Sequence, residues 1–524
     1  MRVSYAKKTQ SFSQSTPLAC YSRLQPIGHP RRQNSTFETG LIISPFITVG
    51  ISPLTLDHID VEATIKKVQQ LLAEETQLST ALRSTLEVLL MLVQIMVNRL
   101  SLTSRNSSKP PSTDRFPKRD QSAGSGKKSG GQPGRIGTTL EKIDDPDVLK
   151  QITIDRSILP PGDYELMGYE CRQVFDIDIQ RVVTEYQAEI IQNQQGQRFT
   201  APFPPEVTKA VQYGVGVKVH SVYLSQYQLI PYNRVQEHFQ EQLSLPISEG
   251  SIFAYNRQAY ELLEQFEQKV IVKLLNTRVV HADETGINMN GKNHWLHCVC
   301  SPQWTLFYAH EKRGFEAMES RALLTFFSGI LVHDHWKPYF KLTCQHALCN
   351  SHHLRELAFA HEQEGQAWAK LMIDLLESLL KEVYSQGGAL SEEQAAPYRD
   401  QYQTILKEAE LECPPPPEPE GTGRKKGRLK RSKSRNLLER LVDFEQETLR
   451  FMIDVEVPFT NNQGENDIRM TKLHQKISGC FRSREGADIF CRVRSYLSTC
   501  RKNNVSATDA LTMLFEGRLP DFIL

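Results

Sequence analysis

The chain has 524 residues and a formal net charge of +1 at pH 7, so it is long enough for several domains and is not a globally basic nucleic-acid binder. Its ten cysteines include no C-x-x-C pair, which argues against a zinc ribbon and against a disulfide-stapled secreted protein and favours the reducing cytoplasm. The most apolar window, Val88–Asn98, is bounded by Glu87 and Arg99 and is too short to predict a membrane-spanning helix.

Two segments in the first part of the chain lack apolar periodicity. Met1–Ser52 is rich in Ser, Thr, Pro and Gln and does not resemble a signal peptide. We predict that residues 1–55 are either disordered or translated from upstream of the natural start. Residues 105–139 combine basic residues with Ser, Pro and Gly, which predicts a flexible basic linker. Its cations either contact phosphates or belong to a merely solvated tether.

A heptad register lies between these two segments. From Val61 to Leu100 the register advances in alternating steps of four and three residues, the spacing of a coiled-coil seam, and Glu75 and Ser79 weaken its middle. We predict that residues 56–104 form a leucine-zipper-like helix through which the chain makes homo-oligomers. The alternative is an amphipathic helix packed on its own protein.

Two modules are predicted after the linker. Residues 140–204 alternate apolar and polar side chains, notably over Gln173–Ile179 and Val182–Ile191, which predicts a small β-rich module with Cys171 as a buried thiol. Residues 205–275 show helical periodicity, with a helix start after Ser248.

The helical module has two interpretations. A helix-turn-helix would present Ser251, Tyr255, Asn256 and Arg257 to a DNA groove. A plain helical scaffold is favoured, because the pattern of three short helices is only weakly specific.

Strand patterns resume after residue 276. Arg278–Gly286 is a β-branched run, and His294–Cys300 and Thr305–His310 are predicted to be two more strands. A predicted helix over Ala317–Phe327 leads to a further apolar run, Gly329–Asp334. We predict that residues 276–350 form the first part of an α/β catalytic core.

Three acids occupy suggestive places in this core. Asp283 and Asp334 each end a predicted strand, and Glu465 opens the helical segment Asn461–Lys472. This is the order in which an RNase H-like core collects ligands for two divalent metals. The alternative is that a chain of this length has acids at strand ends by chance.

The chemistry of paired metals explains why acids are needed. Two Mg²⁺ or Mn²⁺ ions roughly 4 Å apart can activate a water or a 3′-hydroxyl on one side and stabilise the leaving oxygen on the other. Mg²⁺ prefers hard oxygen ligands and keeps several waters, so a few carboxylates suffice if they converge.

A long helical tract is predicted to begin at His346, and its first turns carry candidate soft-metal ligands. His346, Cys349 and His353 have a spacing that could bind zinc, but a structural zinc site normally takes four ligands. Hydrogen bonding to phosphate or within the core by His352, His353 and Arg355 is favoured, and no zinc is expected.

Basic residues cluster between the second and third acids and on the Glu465 helix. Arg469 and Lys472 follow Glu465 at i+4 and i+7, on one helical face, where the alternative is an ordinary ion pair. The dense basic run before this helix predicts DNA contact, the alternative being solvated charge. The predicted DNA-binding residues are Lys337, Arg424, Lys425, Lys426, Arg428, Lys430, Arg431, Arg469, Lys472 and Lys476.

Several short motifs occur together in one order. They are Asn106–Asp114, Gly130–Gly137, His281–Gly286, Lys312–Gly314, Val332–Tyr339, His346–Cys349, His353–Leu357, Pro458–Asn462, Glu465–Met470 and Ser495–Lys502. With them the chain resembles the transposases of the insertion sequence 66 family, over roughly Ile59 to Gly517.

The resemblance implies a DDE-type catalytic domain. Its fold would be RNase H-like, with a helical insertion over residues 351–455 and a C-terminal helical part of the core over residues 456–524. Carried over by motif, the metal ligands are Asp283, Asp334 and Glu465, and Glu284 is ranked below them because it faces the other side of its strand. Many relatives have a cysteine-paired, zinc-finger-like module after the linker, whereas this chain has a lone cysteine there.

The resulting hypothesis is a cytoplasmic bacterial transposase that cleaves and transfers DNA strands. Its partners would be the terminal repeats of its own element, target DNA and, if the element requires them, accessory proteins that it encodes; no membrane is expected. Two alternatives stay open: a catalytically inactive protein that binds the DNA ends, and an RNase H-like nuclease that cannot join strands.

Overall fold

In the computed structural model, the structure describes residues 55–56, 59–75, 78–100, 102, 140–416 and 431–524. The strands are β1 Thr55–Leu56, β2 Ile59–Asp60, β3 Ile190–Gln192, β4 Arg198–Thr200, β5 Val279–Met289, β6 Lys292–Cys300, β7 Thr305–His310, β8 Ile330–His333 and β9 Gln345–Leu348. The helices are α1 Val61–Glu74, α2 Thr80–Leu100, α3 Val215–Val222, α4 Tyr232–Leu243, α5 Glu249–Leu262, α6 Glu264–Leu275, α7 Phe315–Glu319, α8 Asn350–Glu364, α9 Ala367–Ser385, α10 Glu392–Glu412, α11 Lys433–Asp443, α12 Glu445–Leu449, α13 Asn462–Ser478, α14 Arg484–Lys502 and α15 Ala507–Phe515.

The predicted single helix of the heptad region is two helices, α1 and α2. The break falls at the two polar heptad positions that weaken the seam. The Ser79 hydroxyl accepts a hydrogen bond from the Leu82 amide at 3.3 Å, as a helix-capping serine does. The Arg83 guanidinium donates to the Leu72 carbonyl at 2.8 Å and to the Glu75 carbonyl, so it joins the end of α1 to the start of α2.

Helix α2 is longer than the apolar window considered from sequence. Its residues Thr80–Val97 are, among the described residues, one stretch long and apolar enough to cross a membrane by length and composition alone. This stretch extends beyond the window Val88–Asn98 toward the start of the helix. Almost none of it is buried within the chain. Its exposed apolar side chains include Leu82, Val88, Leu89, Met91, Leu92, Val93, Ile95 and Met96.

The predicted β-rich character of residues 140–204 is largely wrong. The described strands there are β3 and β4, a three-residue antiparallel pair, and Gln173–Ile179 forms no strand. Val174, Ile177 and Val182 are exposed because no second layer in the described part of the chain covers them, and an alternating segment without such a layer buries no apolar face. Cys171 is likewise exposed and not buried.

The helical module is a packed scaffold. Ser248 caps α5 by accepting the Ser251 amide at 3.1 Å, as its sequence position predicts. Asn256, offered above as a groove-reading residue, is fully buried and donates to the Ser225 hydroxyl and the Tyr232 hydroxyl, each at 3.0 Å. Since α5 packs against α3, α4, α14 and α15, its contacts fit the favoured helical scaffold. The helix-turn-helix interpretation stays a prediction, because Arg257 is exposed and Ser251 and Tyr255 are half-buried.

A five-stranded mixed sheet with the order β7-β6-β5-β8-β9 forms the centre of the molecule. β5, β6 and β7 are antiparallel neighbours, and β5, β8 and β9 run parallel. Val280 and Leu331 pack into a core with α5, α6, α14 and α15. Val279 and Val332 pack into a second core with the helices from α8 to α12. The sheet therefore lies between two helical layers, which explains why β8 is buried along its whole length.

Two predicted helix boundaries differ from the structure. The helix predicted over Ala317–Phe327 is the short α7, and Ala322 beyond it has a φ of +50°, a left-handed conformation that a continuing helix excludes. The tract predicted to begin at His346 starts as β9, and α8 begins only at Asn350. In both places burial in the core explains the apolar pattern without a continuous helix.

The segment between Asp334 and Glu465 contains helices α8 to α12, and a core of their own apolar side chains holds them together. A capping box starts α10: the Ser391 hydroxyl accepts from the Gln394 amide, and the Gln394 side chain accepts from the Ser391 amide. Three predicted features lie outside the described residues, namely most of the N-terminal extension, the basic linker and the basic run from Arg424 to Lys430.

Candidate active site

The first two acids are brought together by the parallel pairing of β5 with β8. Val279 pairs with Ile330, and His281 pairs with Val332. Asp283 and Asp334 each follow two residues after that last pair, and Asp334 lies just beyond the end of β8, close enough for its charge to raise the pKa of Asp283. Parallel neighbours in register point to the same side of a sheet. The two carboxylates therefore lie side by side where β8 ends.

The third acid reaches this place because the start of α13 is tied to β5 through Asn461. Its side-chain amide donates to the Ala282 carbonyl at 2.9 Å, and its carbonyl oxygen lies 2.9 Å from His281 Nδ1. Its backbone amide donates to the Cys349 sulfur at 3.1 Å. Asn461 and His281 are both buried, so this connection is shielded from water.

Gly464 permits the close approach of α13 to β5. A Cβ at this position would lie 3.4 Å from the Asp283 Cβ and 3.2 Å from Asn461 Oδ1. A side chain at 464 would crowd both groups. Glu465 follows directly and is half-buried beside the aspartates.

The carboxylates influence one another's titration. Burial raises the pKa of Asp283 to about 8, and the negative charges of Glu284, Asp334 and Glu465 add to this shift. One backbone amide opposes this shift, since Glu284 N donates to Asp283 Oδ1 at 2.9 Å. Asp334 Oδ1 likewise accepts a hydrogen bond, from Trp336 N at 3.1 Å. Crowded, buried carboxylates are a suitable environment for a divalent cation.

Glu465 also faces a group of residues from α8 and the end of β9. Its Oε1 lies 3.9 Å from the Cys349 sulfur, 3.8 Å from His352 Nδ1 and 3.9 Å from Arg355 Nη2. Burial and the Arg355 charge lower the pKa of His352, whereas Asp334 and Glu465 raise it. His352 therefore lies within the electrostatic reach of two of the three acids.

Glu284, which the sequence analysis placed below the other three acids as a metal ligand, lies close to the site. Its Oε1 accepts from Arg313 at 2.8 Å, and its Oε2 accepts from the Tyr339 hydroxyl. Burial and the charge of Asp334 raise its pKa, while Tyr339 and Arg313 oppose that shift. A long-range contact of this kind has no signature in local sequence.

A family model described as "Transposase IS66 family" matches residues 210–489, more than half of the chain. The chain belongs to the IS66 transposase family. This confirms the resemblance seen in the motifs and establishes a transposase role in DNA recombination, with the divalent-metal use that the family implies. A second model, "Family of unknown function (DUF6444)", matches residues 56–141. No curated protein matches the chain.

The soft-metal spacing predicted for this transposase does not form one ligand set. His346 bonds to His333, with 3.1 Å between ring nitrogens, and His353 Nδ1 lies 3.0 Å from Asn350 Oδ1. His353 is thus a core hydrogen-bonding residue, the favoured interpretation. Among the described residues, three ligand atoms lie within 4.8 Å of one another in two groups, which are Cys349, His352 and Glu465, and Cys298, Cys300 and Asp467.

Of the three acids of the IS66 transposase, only Glu465 belongs to one of these two ligand groups. Among the described residues, no group of three ligand atoms within 4.8 Å of one another joins Glu465 to Asp283 or Asp334. Three carboxylates that serve two ions need not all contact the same ion. The hard oxygen donors of the aspartates fit Mg²⁺ or Mn²⁺.

The DNA-binding candidates of the transposase divide into three groups. Lys337, Arg469, Lys472 and Lys476 are exposed, the last three on α13. Arg431 pairs with Glu439. The remaining candidates, Arg424, Lys425, Lys426, Arg428 and Lys430, lie outside the described residues.

Sequence reasoning did not single out Asn461, Gly464, Arg313 or Tyr339 as site residues. Asn461, Arg313 and Tyr339 lie within motifs that carry the family resemblance, and that was the one available signal. Their roles depend on contacts between segments far apart along the chain.

Proposed function

We propose that this IS66-family transposase cleaves the ends of its own insertion sequence and joins the freed 3′ ends to target DNA. Asp283, Asp334 and Glu465 would hold two divalent ions for both reactions. The observation that carries the proposal is the meeting of the two strand-end aspartates with the Glu465 helix, which Asn461 and Gly464 fit against β5.

The proposal includes an RNase H-like fold for the core. Numbered along the chain, the five strands of the central sheet lie in the order 3-2-1-4-5, the first three antiparallel and the last two parallel to the first. The helical insertion enters between Asp334 and Glu465. This arrangement supports the fold and its expected position for the metal ligands.

The ions, when bound, would supply activation of the attacking oxygen and stabilisation of the leaving oxygen. The protein's part is positioning. The buried connection from Asn461 to β5 keeps Glu465 beside the aspartates, and burial of Asp283 limits water around the reacting phosphate. The exposed cations Lys337, Arg469 and Lys472 are placed to neutralise phosphates.

The test uses duplex DNA that carries the inverted repeats flanking the gene. Nicking and joining are measured in Mg²⁺, and binding is measured in Ca²⁺, with Asp283→Asn, Asp334→Asn and Glu465→Gln. Each variant should keep binding and lose at least about 1000-fold in cleavage, since each removes a metal ligand. Glu485→Gln, an exposed acid at the start of α14, is the control and should cleave normally.

The outcomes separate the candidate functions. Near-normal cleavage by one of the three variants removes that residue from the site. Wild-type protein that binds the repeats and never cleaves them is an end-binding protein. Cleavage without any joined product identifies a nuclease that cannot transfer strands.

A further inference from the structure

Arg313 occupies an unusual place beside the acids. Its guanidinium carbon lies 4.1 Å from the ring centre of Trp336 and 4.9 Å from that of Trp295. Its Nε and Nη2 both contact Glu284 Oε1, at 2.8 Å and 2.6 Å. Cation–π contact with two rings and an ion pair on one edge leave the guanidinium little freedom to rotate.

This cluster is connected directly to the candidate metal ligands. Trp336 donates its backbone amide to Asp334, and Glu284 follows Asp283 in β5. Tyr339 donates its hydroxyl to the second oxygen of Glu284. The Arg313 guanidinium is therefore positioned by the same strand ends that position the acids.

The exposed edge of Arg313 distinguishes it from a purely structural arginine. The Glu284 side chain is 1% exposed and both of its oxygens are bonded, whereas the Arg313 side chain is 36% exposed. The bonds to Glu284 use Nε and Nη2, which leaves Nη1 and the second proton of Nη2 for another partner.

Arg492 provides an internal comparison. It also stacks on an aromatic ring, Tyr260, and pairs with a largely buried carboxylate, Glu267. Its Nη1 donates to the Tyr260 carbonyl at 3.0 Å, and its side chain is only 15% exposed. Both arginines thus contact an aromatic ring and a buried carboxylate. The guanidinium of Arg492 is also bonded to a backbone carbonyl, whereas Arg313 is more open to solvent.

We propose that Arg313 binds a DNA backbone phosphate next to the cleaved bond, and that Glu284 and Tyr339 are positioning residues for it. This rests on the proposed function. A planar guanidinium with free N–H groups on one edge matches the oxygens of a phosphodiester. A fixed cation there also offsets the repulsion between a cluster of four carboxylates and the DNA polyanion.

The experiment compares Arg313→Gln, Arg313→Lys and Glu284→Gln with Arg492→Gln as the matched control. Dissociation constants for repeat duplexes in Ca²⁺ and cleavage rates in Mg²⁺ are measured on duplexes in which one phosphate at a time is a neutral methylphosphonate. Thermal melting of each variant reports its folding.

Arg313→Gln should lose roughly 10- to 100-fold in binding or in kcat/KM, the usual effect of removing a charge-assisted hydrogen bond. In the wild type, a methylphosphonate at one particular position should reduce binding or kcat/KM by a similar factor. In Arg313→Gln, the same methylphosphonate should cause almost no further loss. Arg313→Lys should recover part of the loss, and Glu284→Gln should weaken the effect of that same phosphate. Arg492→Gln should melt earlier and keep the wild-type methylphosphonate profile.

The inference is overturned if each methylphosphonate reduces binding or kcat/KM of Arg313→Gln by the same factor as in the wild type. Arg313 would then have a structural role only. If the wild type binds the repeats without cleaving them, the proposed function fails, and the binding profile alone decides the role of Arg313. If the wild type binds no repeat duplex, both proposals fall.

Discussion

Asp283 combines burial with proximity to three other carboxylates, and this has a consequence for stability. Its folded-state pKa of about 8 lies above the ordinary value of 3.8, so the folded chain retains a proton that the unfolded chain releases. Without divalent ions, the free energy of unfolding should therefore fall as the pH rises from about 4 to about 8. The stabilisation that comes from the proton on Asp283 is fully present below this pH window and is lost above it.

Asp283→Asn should remove this dependence, because the amide is neutral at every pH. At pH 8 without divalent ions the variant should be more stable than the wild type by about 1 kcal/mol or more, since one pKa unit corresponds to about 1.4 kcal/mol. Urea denaturation at pH 5, 6.5 and 8 measures the effect.

Magnesium provides the control for that measurement. Mg²⁺ should stabilise the wild type more at pH 8 than at pH 6, because the ion competes with the proton for the same carboxylates. It should stabilise Asp283→Asn far less at either pH. A variant that melts earlier than the wild type at pH 8 in EDTA would contradict the assigned environment of Asp283.

At the scale of elements, helix α13 is the part whose placement decides whether the site exists. Gly464→Ala introduces a Cβ 3.2 to 3.4 Å from Asn461 and Asp283, closer than ordinary contact at Asn461. The start of α13 must then shift by a few tenths of an ångström. We expect cleavage to fall by about tenfold or more, because small displacements of positioned groups are costly. Rates and melting temperatures measure this.

Gly216→Ala in α3 is the matched glycine substitution, since nothing lies within 4 Å of its added Cβ. It should raise stability by roughly 0.5–1 kcal/mol, as alanine favours the helix, and leave cleavage unchanged. Full activity in Gly464→Ala would show that the fit between α13 and β5 does not control the position of Glu465.

The whole molecule has a large apolar surface on α2 that nothing in the described chain covers. We propose that a second copy of the chain covers it, as the heptad register predicts. Leu89→Glu with Val93→Glu should lower the molar mass measured by light scattering at a fixed protein concentration, because two charges would face the interface. Ser84→Glu, also exposed on α2, should leave the mass unchanged. A monomeric wild type would contradict the proposal.

DNA binding by the basic run from Arg424 to Lys430 can also be tested at the scale of the whole molecule. Replacing Arg424, Lys425, Lys426, Arg428 and Lys430 by Gln should weaken DNA binding for every sequence alike. The slope of log affinity against log salt should fall by about 0.9 for each phosphate that the variant no longer neutralises. Glu→Gln changes at three exposed acids of α10 should not reduce the slope. An unchanged slope in the variant without the basic run would assign these cations to solvent.

Much of the fold could be predicted where a local period is strong. The strands that became β5, β6 and β7 and the capped start of α5 follow from alternation and from a serine cap, which are properties of a few adjacent residues. Predictions were wrong where apolar spacing fits more than one structure. The run over Ala317–Phe327 is buried without being a helix, and Gln173–Ile179 alternates without a layer to cover it.

By itself, the sequence determined the family of this protein, the order of Asp283, Asp334 and Glu465, and the helical insertion that separates the last two, since these depend on motifs and on local periodicity. Only the tertiary structure decided which groups meet there: Asn461 with β5, Glu284 with Arg313, and His352 with Glu465. The physical reason is that such contacts arise from the packing of distant segments, on which the spacing of neighbouring residues carries no information. The catalytic role of the three acids stays a prediction that the cleavage assay tests.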